Sequence, residues 1–164
     1  MTGQVAKQDE VYDLYRQLIL DHARNPRHFG RLDDATHSAE GINSLCGDKL
    51  TMYFRIDADR RIDEARFEGS GCAISVASAS LLADTVVGLS VEKAEALFDL
   101  VTMRLKSVRA DNNEKLDSNL DFPSEKLRAL DGVREFPSRV KCATLAWHAL
   151  HSALSHYSTP ATTE

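Results

Sequence analysis

Four residues carry the chemistry that this chain offers: Cys46, Asp48, Cys72 and Cys142. In "NSLCGDKL", residues 43 to 50, a thiol and a carboxylate stand two positions apart, separated by Gly47. The stretch leads into a strand, where residues i and i+2 point to the same face. Cys46 and Asp48 share the parity of the apolar row Leu50, Met52, Phe54 and Ile56, so both point toward the core side unless Gly47 introduces a bulge. A free cysteine often serves as a small core residue. An ionised aspartate aimed inward, by contrast, is costly unless it is paired or bound to a metal. Cys72 follows Gly69 and Gly71 at a helix start, and Cys142 lies in the first turn of another helix. Exposed amides at both places favour thiolate over thiol. Three thiolates and one carboxylate complete a tetrahedral zinc site, and the same set can hold an iron–sulfur cluster.

The elements that must position these residues follow from periodicity. Residues 9 to 24 read as an amphipathic helix, with Val11, Leu14, Tyr15, Leu18 and Ile19 at helical spacing and Pro26 ending it. The strand from Leu50 to Ile56 turns over "DADR" (57 to 60) into a second strand, 64 to 69, giving a hairpin. After Cys72 a helix carries Ile74, Ala77, Leu81 and Thr85 on one face, with Gly88 as its cap. Ser90 caps the next helix, which buries Leu97, Val101 and Leu105. Residues 107 to 123 read as a loop, within an insertion spanning about 107–131. "SEKLRALDGV" is a short helix capped by Ser124 and stopped by Gly132. A last helix from Ser138 buries Val140, Thr144, Trp147, Leu150 and Leu154, and residues 158–164 read as a frayed tail. The whole, 1–164, reads as one domain with its core at about 9–156.

Composition bounds the function. With 164 residues, 43% hydrophobic and 27% charged, the chain is long enough to build a core of ordinary soluble composition. A net charge of -5 gives no dominant basic field, which argues against nucleic acid as the main partner. The polar start "MTGQVAKQDE" lacks a signal segment and no apolar run reaches membrane-span length, so the expectation is a cytoplasmic protein without a membrane partner. Three widely spaced cysteines without a CxxC pair are a poor disulfide framework, so the fold has to assemble any site. The six histidines read as surface or packing residues. His148 and His151, one turn apart, leave room for an adventitious surface metal site.

"DHARNPRHFG", "LCGD", "FEGSGCAIS" and "FPSRVKCATLAWHAL" together resemble the U-type iron–sulfur assembly proteins, the IscU/NifU/SufU family, over about residues 11 to 154. The resemblance implies an α+β, SufE/IscU-like fold: a small three-stranded antiparallel sheet with helices packed on one face, and a further strand near residues 38 to 45. It places the family's metal ligands on Cys46, Asp48, Cys72 and Cys142. Lys141 stands where IscU-type scaffolds carry a histidine, and "EFPSRVK" does not match their chaperone-binding stretch. With the long segment between Cys72 and Cys142, these features resemble the SufU branch. That branch implies a zinc-dependent sulfur acceptor for a SufS-type cysteine desulfurase, serving downstream cluster-assembly machinery. Cys46 would leave the metal, attack the desulfurase persulfide and carry the sulfur, while a histidine of the desulfurase takes its place. Arg139 matches an arginine typical of the branch and would pair with the released thiolate or persulfide; its alternative is a plain surface residue. The competing implication is an IscU-like scaffold that binds iron or a transient [2Fe-2S] cluster. A structural zinc domain is a third reading, disfavoured by the aspartate.

Overall fold

Period-two alternation builds the centre of the molecule. The computed structural model describes residues 2–106, 125–155 and 161–162. In it, strand β2 (Asp48–Ile56) buries Asp48, Leu50, Met52 and Phe54 on one face. Strand β1 (His37–Asn43) runs antiparallel to β2, from His37 opposite Phe54 to Asn43 opposite Asp48. Strand β3 (Ile62–Ser70) pairs antiparallel on the other side and begins before residue 64, because Ile62 is fully buried. This is the expected three-stranded antiparallel sheet. A two-residue strand, β4 (Ala161–Thr162), adds in parallel to Gly41 and Ile42, giving the order β3-β2-β1-β4. Two residues read from sequence as tail thus join the sheet, while 158–160 and 163–164 lie outside the described residues.

The helices close over one face. Helix α1 (Thr2–Arg24) starts earlier than residue 9 and ends before Pro26 as expected. Ile19 is buried, and Tyr15 and Leu18 pack against the core. Leu14, expected on that face, is 63% exposed; the side chain of Val11 lies outside the described residues. Helix α2 (Ala73–Val86) is buried far more widely than one face, since every residue from Ala77 to Ala83 is buried. Its small Ala and Ser side chains let it fit between α1 and the last helix. Helix α3 (Val91–Lys106) is capped by Ser90, whose Oγ accepts the Lys93 N–H at 3.2 Å, and it buries Leu97, Val101 and Leu105.

Residues 107–124, which include Ser124 and most of the expected insertion, lie outside the described residues. From Glu125 to Glu135 a 3-10 helix runs through Gly132, which does not stop it. Leu127, Ala129, Leu130 and Val133 bury its inner side, so tertiary packing overrides the glycine signal. Asp131 also holds Arg104 of α3 with two bonds, at 2.8 and 2.7 Å. Helix α4 (Pro137–Leu154) buries Val140, Thr144, Trp147 and Leu150, with Leu154 half-buried. The Trp147 indole donates to Ser78 Oγ at 3.1 Å, and Ser78 donates to the Ala143 carbonyl at 2.5 Å, which locks α4 onto α2. Among the described residues, no helix is long and apolar enough to cross a membrane.

Candidate metal centre

Asp48 opens β2 pointing inward, 1% exposed, as its parity requires. Its Oδ1 accepts the backbone N–H of Cys72 at 2.8 Å. Its Oδ2 is buried and has no hydrogen-bond partner among the described residues. Gly71 makes this approach of β2 to the start of α2 feasible. A Cβ there would lie 2.7 Å from Asp48 Oδ1 and 2.3 Å from Ser75 Oγ, both too close for any side chain.

Cys46 departs from the strand argument. It sits in the turn 44–47 before β2 and is exposed. Its N–H reaches the Asn43 carbonyl at 3.3 Å, and the Gly47 N–H reaches that of Ser44 at 3.3 Å. Gly47 has φ 73, the left-handed region that glycine enters without strain. That single backbone angle interrupts the period of two, so parity holds for Asp48 and fails for Cys46. The turn nonetheless folds the thiol back. Cys46 Sγ, a carboxylate oxygen of Asp48 and Cys142 Sγ all lie within 4.8 Å of one another.

Cys72 is the N-cap of α2, with φ -72 and ψ 168, as expected for a helix start. It stands outside that closest group of three, but it is near enough to Cys142 to help raise that thiol. Cys142 lies in the second turn of α4, not the first, because the helix already begins at Pro137, a residue pre-set for that position. The helix end therefore does little for it. Burial pushes its thiol well above the ordinary range, and the neighbouring Cys46, Cys72 and Asp48 side chains push the same way.

An unpartnered carboxylate oxygen is costly in an interior. One divalent cation would take up Oδ2 and draw the protons off the thiols beside it. The donor set therefore fits a metal. Arg139, exposed, reaches the same cluster: the Cys72 sulfur first and the Cys142 sulfur second hold its guanidinium more firmly charged than usual. The described histidines stay outside this group. His22 Nδ1 lies 2.7 Å from Ser80 Oγ in the core. His151 bonds Glu95 at 2.8 Å and stacks on Phe98, while His148 meets the same ring edge-on. His156 lies outside the described residues. Asn43 escaped the sequence reading, and Gly71 is read there only as a turn residue, not as the place where Asp48 approaches. The only sequence sign of Asn43 is a polar residue at an inward position of β1, visible once its register opposite Asp48 is known.

Residues 14–164 match the model of the NifU-like N-terminal domain. The chain is 37% identical over 150 residues to the iron–sulfur cluster assembly scaffold protein IscU of Thermotoga maritima, covering 90% of this chain and 96% of that one. It is 36% identical over 142 residues to the zinc-dependent sulfurtransferase SufU of Bacillus subtilis, covering 87% and 90%. In three dimensions it is similar to a protein of Fervidobacterium islandicum described as a cluster assembly scaffold for the SUF system. The TM-score is 0.70 at 28% identity, covering 84% of this chain and 93% of that one.

Proposed function

The chain belongs to the family of NifU-like N-terminal domains, and from that premise we propose that it is a zinc-dependent sulfur acceptor for a SufS-type cysteine desulfurase in cytoplasmic iron–sulfur cluster assembly. The observation that carries this reading is the exposure of Cys46 on a glycine-hinged turn, beside a half-buried Cys72 and a buried Cys142. A sulfur carrier needs one thiol that a partner enzyme can reach, and only thiolate is the nucleophile. Zinc, held by Cys46, Asp48, Cys72 and Cys142, supplies the positive charge that keeps these thiols deprotonated.

The chain's own residues then divide the task. The Cys46 thiolate attacks the outer sulfur of the desulfurase persulfide. The sulfur–sulfur bond breaks, its electron pair leaves with the desulfurase cysteine, and Cys46 becomes the persulfide. Asp48 is fixed by the Cys72 amide and Cys142 by the core, so neither has to move when Cys46 swings on Gly47. Arg139, whose guanidinium the Cys72 and Cys142 sulfurs hold more firmly charged, would pair with the anionic persulfide. Lys141, exposed beside Cys142, adds positive charge where a scaffold of the IscU type carries histidine.

The scaffold reading has its own support in the Thermotoga maritima relative. One experiment separates the two. The purified protein, assayed with a SufS-type desulfurase and free cysteine, is expected to accelerate sulfide release and to show persulfide on Cys46 by mass spectrometry. It is expected to be colourless with one zinc per chain. A brown protein with stoichiometric iron and sulfide after anaerobic incubation with iron, cysteine and desulfurase would sink the acceptor reading.

A further inference from the structure

The inward row of β1 brings one more polar side chain to the thiols. It carries Gly41 and then Asn43. A Cβ on Gly41 would lie 3.1 Å from the Leu145 side chain, so the bare glycine lets β1 and α4 close on each other. Two residues along β1, and one turn back along α4, Asn43 meets Cys142: its Nδ2 donates to Cys142 Sγ across 3.8 Å. The Asn43 carbonyl accepts the Cys46 N–H at 3.3 Å, and the ladder sets Asn43 opposite Asp48. One asparagine thus touches the exposed cysteine through its backbone and the buried cysteine through its side chain. It does so at 0% exposure, with Oδ1 unpartnered among the described residues. A buried amide left half-bonded is less stable than an apolar residue in the same place, and the opposite inward positions of β2 beyond Asp48 are apolar. The contact with Cys142 is what the amide provides in return.

We propose that Asn43 is a positioning residue of the metal centre, donating an N–H···S hydrogen bond that fixes the Cys142 sulfur and sets the strength of its bond to the metal. The inference rests on the metal-centre part of the function proposed above. A donor on a thiolate ligand withdraws electron density from the sulfur and holds its orientation.

The test begins with the unmutated protein, labelled with NMR-active nitrogen and loaded with NMR-active cadmium. The Asn43 side-chain amide protons are expected to show scalar coupling to the metal, transmitted through the Cys142 sulfur. Cobalt(II)-loaded Asn43→Ala and Asn43→Asp proteins are expected to shift the thiolate-to-cobalt charge-transfer band to lower energy. Their zinc dissociation constants are expected to rise about 10-fold, the lower end for such outer partners. Asn43→Asp keeps the shape of the side chain and remains informative should the smaller alanine collapse the strand end. Absent coupling, with band and affinity unchanged in both variants, overturns the inference while the metal centre stands. An unmutated protein without thiolate-to-cobalt bands overturns the metal centre and the inference together.

Discussion

Cys46 and Cys142 bring their sulfurs into one cluster by opposite means. Cys46 hangs on an exposed turn whose conformation depends on a left-handed glycine. Cys142 is 0% exposed, on a helix pinned by the Trp147–Ser78–Ala143 bonds. Burial pushes the Cys142 thiol up. The same side-chain type is thus a reachable group in one place and an anchor in the other. The difference lies in which element carries each thiol, and each half can be broken on its own.

The largest effect is expected on the anchored side. Gly71→Ala would force a Cβ against Ser75 Oγ and Asp48 Oδ1 and pull the carboxylate off the Cys72 amide. Overpacking and a lost buried bond together are expected to cost about 2–4 kcal/mol. Metal content should drop with it. Thermal melting and metal analysis check this, and an unchanged melting temperature would show that Asp48 is not locked there. Asp48→Ala should likewise lower both zinc content and melting temperature, through loss of a ligand.

On the exposed side function is expected to suffer more than the fold. Cys46→Ser is expected to leave a folded protein that no longer accelerates its desulfurase. Circular dichroism and the sulfide-release assay read the two halves separately. Sulfur recovered only on Cys142 would erase the distinction between the two cysteines. Gly47→Ala should act more mildly. A Cβ there meets nothing within 4 Å, so the cost is the left-handed backbone alone, about 1–2 kcal/mol. Persulfide uptake by Cys46 should slow, while the metal-free core keeps its unfolding cooperativity.

The smallest effect tests the platform without touching a thiol. Burial first, and Arg27 second, hold His22 below its ordinary range. The unfolded chain therefore binds a proton that the folded chain refuses, and stability falls as pH drops below about 6.5. His148 is depressed by burial as well and adds to the same slope. Urea unfolding at about pH 7.5 and pH 6 should show His22→Gln losing up to about 1 kcal/mol less than the unmutated protein on acidification. An identical slope in both would remove His22 from the platform.

Much of this arrangement is legible in the sequence, for reasons that can be named. Parity alone aims Asp48 inward, because alternation through Phe54 leaves no freedom at the start of β2. The GSG before Cys72 marks its helix start, since a tight strand-to-helix turn needs small residues. Parity fails at Cys46 because one φ at Gly47 cannot be read from residue types. A helix start at Ser138 sets Cys142 too near the helix end, because Pro137 already opens α4 with the fixed φ that suits that position. The 3-10 helix through Gly132 and the exposure of Leu14 follow from what the rest of the chain packs against, which local pattern does not encode. Asn43 is illegible for the same reason: its partner lies 99 residues away.

The two residues of β4 have a consequence for self-association. An uncovered strand edge is a template on which a second chain can add a strand of its own. β4 occupies β1 at Gly41 and Ile42, the stretch just ahead of Asn43 and the Cys46 turn. The earlier part of β1 carries Glu40 and His37, polar groups that discourage such pairing. At Gly41 and Ile42, beside the turn, the edge of β1 is therefore already taken by the chain's own residues and offers no ladder to a second copy.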